Sequence, residues 1–150
     1  MTKNLDQDGL SSIFQNYSLF YIDLWGVVHN GISLYEEAIK VLNELEKNNK
    51  DYILLTNAPR PNNTVKIFLE KMGLNENIRS HVFTSGEAAL NYLKDNFSLK
   101  NFFHIGPNKD FDLFKDFEKM KSNNINECDY FLCTGLFDES NQNLNYYKNL

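Results

Sequence analysis

A short apolar run that ends in one carboxylate constrains this chain more than any other feature of its sequence. The run covers residues 19–22, the carboxylate is Asp23, and Gly26 and Gly31 interrupt the apolar pattern that follows. An apolar run of this length beside a turn is typical of a buried strand. Because ligands of open parallel sheets bind outside the carboxyl ends of the strands, Asp23 is predicted to project into a cleft.

A second apolar run has the same organisation. Residues 52–55 form a predicted strand that leads into a hydroxyl and an amide, Thr56 and Asn57. If the two strands are neighbours, Asp23 can attack phosphorus or an electrophilic carbon, and Thr56 with the Asn57 backbone N–H can hold phosphoryl oxygens. A phosphate and a carboxylate repel each other, so this chemistry needs a cation, for which Mg²⁺ is suited.

Strand and helix patterns alternate three times up to the middle of the chain. Ser33 with Glu36, and Thr84 with Glu87, have the spacing of a capping box, which predicts that helices begin there. The helix between them is expected to end at Gly73. This alternation predicts an α/β fold with right-handed crossovers and a parallel sheet covered by helices on both faces.

The same alternation continues in the second half of the chain. Residues 102–105 and 130–133 are predicted strands, and residues 109–120 are a predicted helix. The polar segment 121–129 is expected to be a plain loop. A last helical pattern covers residues 141–150.

Charge and composition exclude several classes of function. The net charge is −5 over 150 residues, so no basic face is available for nucleic acid. No segment approaches the roughly 20 apolar residues that span a bilayer, and the polar N-terminus shows no signal peptide. We therefore expect a cytoplasmic protein without nucleic-acid or membrane partners. Residues five apart in a strand face opposite sides, so we expect no disulfide between Cys128 and Cys133. Both are expected to be buried, reduced thiols.

The motifs together resemble the haloacid dehalogenase (HAD) superfamily in its class IIA form. Residues 23–31 are similar to its first motif and residues 54–58 to its second, while residues 84–89 and the strand leading into Gly135 are also similar. The resemblance covers roughly residues 17–150. Members of this class are mainly 4-nitrophenyl phosphate, nucleotide and sugar phosphatases.

The resemblance implies a role for each candidate residue. Asp23 would be the nucleophile, forming an aspartyl-phosphate, and a ligand of Mg²⁺, with the backbone carbonyl of Trp25 as a second ligand. Thr56 and Asn57 would bind the phosphoryl group of a small phosphorylated metabolite. Arg60 is either a clamp for the anionic substrate or a surface arginine between prolines.

The resemblance also implies an architecture. Residues 1–86 would form part of a Rossmann-like HAD core, and residues 87–150 the first part of an inserted α/β cap of the C2 type. The lysine and the acidic motif that complete the family's site would follow later in the chain. We therefore expect an N-terminal fragment that is inactive or nearly so, exposes an unpaired sheet edge and tends to aggregate. The sequence leaves the oligomeric state open, a homo-oligomer included.

Trp25 departs from the family pattern, since it occupies the position of a second aspartate that acts as the general acid. An indole N–H donates a hydrogen bond but is no working acid, and losing a general acid typically costs about 10²–10⁴-fold in rate. Trp25 is either a core aromatic residue or a surface on which substrate stacks. His29 either contacts substrate or packs within its loop, whereas His81 and His104 are expected to be structural.

Asp23 is compatible with four functions. The first is a Mg²⁺-dependent phosphatase, and the second is a weak or inactive relative that binds a phosphorylated metabolite, which Trp25 favours. The third is carbon–halogen hydrolysis, which would survive EDTA. The fourth is a phosphorylated receiver domain, which ranks last because Asp6 and Asp8 follow no strand.

Overall fold

The computed structural model of the chain describes residues 5–137 and 143–149. The chain divides into two compact units. The first unit takes the residues up to Thr56 and Lys66–Phe83, and the second takes Asn57–Val65 and the residues from Thr84 onward. Both units combine helices with strands, so the predicted α/β class is confirmed. The division into a core over residues 1–86 and a cap over residues 87–150 stays a prediction.

The first unit is built on a three-stranded sheet in the order β1-β2-β3. Strand β1 is Leu19–Asp23, β2 is Asp51–Thr56 and β3 is Val82–Thr84, whose last residue belongs to the second unit. β1 and β2 run parallel, with Asp23 opposite Leu55. The two predicted strands that end near Asp23 and Thr56 are therefore neighbours.

Helices pack on one face of this sheet. They are α1 (Leu5–Asp8), α2 (Glu36–Lys47), α3 (Asn62–Lys71, which begins in the second unit) and α4 (Glu76–Arg79). Short 3-10 turns occupy Leu10–Ser12 and Phe14–Asn16. The buried apolar side chains that these elements share are Leu24, Val28, Leu42, Leu45, Tyr52, Leu54, Leu69, Leu74, Ile78 and Val82. Helices on both faces were predicted, but Leu19, Tyr21 and Leu55 expose apolar side chains on the other face of β1 and β2.

The predicted capping box at Ser33 and Glu36 is wrong. Helix α2 begins at Glu36, and its N-cap is Tyr35, which makes no side-chain capping hydrogen bond. The Ser33 backbone N–H instead donates to Oδ1 of Asn30 at 2.8 Å. Asparagine forms such local turns readily. This turn engages Ser33, the residue that was predicted to cap the helix.

The second unit contains a parallel pair of strands, β4 (Phe102–Ile105) and β5 (Tyr130–Cys133). Their bounds agree with the prediction. Its helices are α5 (Ser85–Phe97) and α6 (Leu144–Lys148), and a 3-10 turn at Ile125–Glu127 interrupts the predicted plain loop. A compact core holds this unit together and consists of Leu90, Phe102, Leu113, Phe114 and Leu132.

The predicted helix at residues 109–120 is wrong, because the chain forms two 3-10 segments, Asn108–Leu113 and Lys115–Met120. The backbone departs from helical geometry at Phe114, between the two segments, and at Phe117. Phe114 and Phe117 each lie with a ring centroid 5.4 Å from that of Phe102. Aromatic packing on β4 therefore outweighs the α-helical hydrogen-bond pattern.

The N-terminus of α5 is tied to the N-terminus of α3 by an exchange of hydrogen bonds. Thr84 caps α5 as predicted, its Oγ1 accepting the Glu87 N–H at 2.9 Å. The Glu87 carboxylate does not complete the predicted box but accepts the Asn62 N–H at 2.9 Å. In return, Oδ1 of Asn62 accepts the Thr84 N–H at 2.9 Å. A side-chain oxygen at each helix N-terminus thus accepts a hydrogen bond from a free backbone N–H at the other.

Three smaller expectations concern the cysteines, the helix end and membrane crossing. Cys128 and Cys133 are free, but neither is fully buried: Cys128 is partly buried and Cys133 is exposed. Gly73 follows α3 at a φ of 89° and ends it as predicted. In residues 5–137 and 143–149, every helix is too short or too polar to cross a membrane.

Replacing Gly86 with alanine is expected to destabilise the second unit. A Cβ at Gly86 would lie 2.3–2.6 Å from the backbone N, O and C atoms of Arg60. Alanine would otherwise favour the helix by up to about 1 kcal/mol, but a clash with backbone atoms of this kind costs about 1–3 kcal/mol or more. Urea unfolding of Gly86→Ala should therefore show a lower free energy of unfolding.

Gly135→Ala is the matched control for this substitution. Its Cβ would lie 3.7 Å from the nearest atom, Cδ of Pro107, which is an ordinary contact. We expect a change within about 0.5 kcal/mol. Equal stabilities of the two variants would contradict the close packing of Gly86 on Arg60.

Acid is expected to destabilise the second unit through His104. The imidazole is buried and its Nε2 lies 2.9 Å from Oγ1 of Thr134. Burial lowers the pKa of His104 below 6.5, Lys121 lowers it further, and Asp110 partly opposes both. Below pH 6.5 the unfolded chain therefore binds a proton that the folded chain does not, and the free energy of unfolding falls with pH by at most about 1.4 kcal/mol per unit.

The measurement is urea unfolding between pH 7.5 and 5.5 for the native chain and for His104→Gln. The free energy of unfolding of the variant should fall less steeply as the pH is lowered. A residual decline is expected from His29, whose pKa is also lowered by burial. Parallel curves for the two proteins would rule out His104 as a source of the pH dependence.

Candidate active site

Asp23 and Thr56 occupy the carboxyl ends of adjacent parallel strands. Asp23 is the last residue of β1 and is exposed. It lies opposite Leu55, and Thr56 is the next and last residue of β2. The register thus brings the predicted nucleophile and the predicted phosphate-binding hydroxyl to one edge of the sheet, where ligands of such sheets bind.

The Asp23 carboxylate is oriented by its own backbone neighbour. Its Oδ1 accepts the Leu24 N–H at 2.8 Å. This hydrogen bond holds one carboxylate oxygen against the backbone and fixes the direction of the other. An oriented carboxylate at a strand end is suited to nucleophilic attack or to metal binding.

A tight turn follows Asp23. The Leu24 carbonyl accepts the N–H groups of Val28 at 2.8 Å and His29 at 3.1 Å, and the Gly26 N–H donates to the His29 carbonyl at 2.8 Å. Gly26 has a φ of 77°, a conformation that favours glycine. Among the residues that the structure describes, none donates a hydrogen bond to the Trp25 carbonyl. The turn thus leaves this oxygen for another donor or for a metal ion.

Trp25 lies on the surface of this turn. Its side chain is 65% exposed, so its interpretation as a core aromatic residue is wrong. The indole rests on Gly31, where an added Cβ would lie 2.5 Å from one ring carbon. It also meets the His29 ring edge-on, with centroids 5.6 Å apart. Substrate stacking on Trp25 stays a prediction.

His29 packs within the loop. It is buried, its Nδ1 accepts the Gly31 N–H at 3.0 Å, and its ring lies edge-on to Phe68 with centroids 5.7 Å apart. Because Nδ1 accepts, the proton of the neutral ring is on Nε2. Burial lowers the pKa of His29, while the nearby Asp23 carboxylate raises it by a smaller amount. His29 is therefore neutral, and its uncharged ring packs against Trp25.

Asn57 and Arg60 belong to the second unit. The Arg60 guanidinium lies 3.5 Å from the buried Asp110 carboxylate and 3.8 Å from that of Asp112. It also donates to the Lys109 carbonyl at 3.1 Å. Arg60 thus has acidic partners of its own, and its role toward substrate stays a prediction, as does that of Asn57.

The oxygen donors of the first unit fit a magnesium ion. Mg²⁺ is typically held by one or two carboxylates, with water and substrate phosphate completing the shell. The Asp23 carboxylate and the Trp25 carbonyl are donors of this kind. Within residues 5–137 and 143–149, no group of three or more His, Cys, Asp or Glu side chains is placed to hold a metal ion. These two residues would therefore supply a small share of the ligands.

Two supporting residues were missed by sequence reasoning. Phe68 packs on His29 from helix α3, and no local pattern distinguishes it from other apolar residues of that helix. Asp110 pairs with Arg60 across a sequence separation that no motif indicates. Gly31, in contrast, lies inside the first motif. Glycine is needed there because a Cβ at this position would collide with the indole of Trp25.

Gly31→Ala is expected to displace the Trp25 indole. Trp25 is the single tryptophan of the chain, so its emission reports on the surroundings of this indole. Gly26→Ala is the matched control, because both glycines have positive φ, 91° and 77°, but apart from its two chain neighbours no described residue has an atom within 4 Å of an added Cβ at Gly26. We expect a shifted emission maximum in Gly31→Ala and an unchanged one in Gly26→Ala; equal spectra would contradict the contact.

Comparisons with known proteins bear on the family and the fold of the chain. A sequence model of the haloacid dehalogenase-like hydrolases matches residues 20–118. The chain superposes on a haloacid dehalogenase-like hydrolase from Brucella suis 1330 with a TM-score of 0.77 and 28% identity, covering 93% of this chain and 51% of the other. The chain thus spans about half the length of that protein. No protein of curated function matches the sequence significantly.

Two more distant structures share the fold. A 4-nitrophenylphosphatase from Thermotoga maritima has a TM-score of 0.62 and 20% identity, over 91% of this chain and 50% of the other. A glycerol phosphate phosphatase from Mycobacterium tuberculosis, in complex with magnesium, has a TM-score of 0.60 and 18% identity, over 91% of this chain and 40% of the other. On the family match, which includes Asp23 and Thr56, the chain belongs to the haloacid dehalogenase-like hydrolases.

Proposed function

We propose that the protein hydrolyses small phosphate monoesters, with Asp23 as the nucleophile and Mg²⁺ as its metal. The observation that carries this proposal is the position of the exposed Asp23 at the end of β1, beside the end of β2 that carries Thr56. The solved structures named as phosphatases share this fold but are under 25% identical. Because the chain spans about half their length, the activity is proposed for the native protein as a whole.

The chemistry would proceed through a covalent intermediate on Asp23. The free carboxylate oxygen attacks phosphorus while the bond from phosphorus to the ester oxygen breaks, and the leaving group takes that electron pair. Water then hydrolyses the aspartyl-phosphate, which regenerates the carboxylate and releases phosphate. The hydrogen bond from the Leu24 N–H to Oδ1, 2.8 Å long, would keep the attacking oxygen in line.

Thr56 and Asn57 would hold the phosphoryl oxygens. A hydroxyl and a backbone N–H are donors that stabilise charge developing on such oxygens. Asp23 and the Trp25 carbonyl would hold the metal, which when bound neutralises charge between the carboxylate and the phosphate. Arg60 would bind an anionic substrate only in competition with Asp110 and Asp112, which lie 3.5 Å and 3.8 Å away.

A second function is favoured by one observation. Trp25 takes the place of a general acid, and its indole does not supply a proton. The site would then bind a phosphorylated metabolite without turning it over. Little or no activity of residues 1–150 alone, and a cytoplasmic location, also stay predictions.

Asp23→Asn is expected to abolish phosphatase activity of the native protein. The amide is nearly the same size but is no nucleophile, so turnover of phenyl phosphate should fall by at least about a thousandfold. Asp51→Asn is the matched control, because Asp51 is an exposed aspartate at the opposite end of β2. Its turnover should equal that of the native protein.

EDTA separates the remaining functions. A Mg²⁺-dependent phosphatase loses turnover when the metal is removed and regains it when Mg²⁺ is restored. Activity on a haloalkanoate that survives EDTA would indicate carbon–halogen hydrolysis instead. Binding of inorganic phosphate without turnover of any ester would favour the second function. Full activity in Asp23→Asn would reject the proposal.

A further inference from the structure

The Trp25 indole is presented to solvent beside the candidate nucleophile. Asp23 is exposed, Leu24 is buried and Trp25 is 65% exposed, so the alternation of burial continues past the end of β1. Trp25 follows Asp23 by two residues, and His29 contacts the indole with ring centroids 5.6 Å apart. These three residues therefore lie on one short segment at the strand end.

Gly31 and His29 hold the indole in place. Gly31 lies directly against its six-membered ring, where an added Cβ would be 2.5 Å and 2.8 Å from two ring carbons. His29 meets the indole edge-on, and Phe68 in turn meets His29 edge-on with centroids 5.7 Å apart. A large aromatic side chain that is both supported and exposed is a preformed surface on which a planar group can stack.

The indole of Trp25 does not itself supply the proton that many leaving groups need. An alcohol is about as weak an acid as water, so an alkoxide leaves slowly unless an acid protonates it. The pKa of a phenol is about 10, so a phenoxide leaves with its electron pair and takes a proton from water afterwards. The indole N–H cannot perform the protonation that an alkyl ester needs.

We propose that Trp25 makes this site selective for aryl phosphates, the phosphate monoesters of phenols, over alkyl phosphates such as those of sugars and glycerol. The ring of the leaving group stacks on the indole while the Asp23 carboxylate forms its bond to phosphorus and the bond to the phenolic oxygen breaks. This inference rests on the proposed phosphatase function and adds the class of its substrate.

Binding is tested through the fluorescence of Trp25. Quenching that the native protein shows and Trp25→Phe lacks reports stacking at this position. The native protein is titrated with phenylphosphonate, which cannot be hydrolysed at its carbon–phosphorus bond by this route, and with methylphosphonate as the control. Saturable quenching by phenylphosphonate alone is expected; equal responses to the two would overturn the stacking.

Selectivity is tested with two esters that differ in the leaving group. Phenyl phosphate and benzyl phosphate both carry a ring, but only benzyl phosphate leaves as an alkoxide. The native protein should favour phenyl phosphate in kcat/KM by at least about 100-fold, the lower end of what a general acid contributes. Trp25→Asp should raise kcat/KM for benzyl phosphate and reduce that ratio about tenfold or more, whereas Trp25→Phe should keep a ratio near the native one.

The outcomes separate this inference from the phosphatase function. Similar kcat/KM values for phenyl and benzyl phosphate, both lost in Asp23→Asn, would overturn the aryl selectivity and leave the phosphatase intact. An unchanged ratio in Trp25→Asp, with the variant folded by circular dichroism, would overturn the role of Trp25. Turnover of neither ester would reject the phosphatase and this inference with it. Because Trp25 is 65% exposed, its substitution should leave the fold stable.

Discussion

Parallel hydrogen bonding between β1 and β2 fixes where the candidate site can form. The register places Asp23 opposite Leu55, so Asp23 and Thr56 leave neighbouring strands at the same edge. A shift by one residue would turn each side chain to the other face of the sheet. The buried residues Tyr52 and Leu54 resist such a shift, since it would expose them to water. The core of the first unit thus determines which residues meet at the site.

The turn after Asp23 determines what that edge can do. The Leu24 N–H orients the carboxylate, and the Leu24 carbonyl closes the turn by accepting from Val28 and His29. Gly31 lets the indole of Trp25 lie against the backbone. One short segment therefore supplies an oriented carboxylate and a supported aromatic surface, and it does so through backbone hydrogen bonds together with the side chain of Asp23 and the glycine at position 31.

The strands and the position of Asp23 at a strand end could be predicted from sequence because apolar runs and their polar ends are local signals. β4 and β5 were bounded correctly for the same reason. The failures have a different origin. The 3-10 turns that replace the predicted helix depend on Phe114 packing against Phe102, and the burial of His29 depends on a neighbour distant in sequence, Phe68. Such contacts leave no periodic pattern in the chain.

The exposure of Trp25 is costly for the protein. Burying a large apolar side chain stabilises a fold by roughly 1.5–3 kcal/mol, and this chain leaves its single tryptophan 65% exposed. Seating the indole also requires a glycine at a φ of 91°, which loses more conformational entropy on folding than other residues do. Neither feature contributes to the packing of the first unit, whose core lies elsewhere. The indole therefore contributes little to that core, and its position at the end of β1, beside Asp23, leaves it able to contact a molecule from solvent.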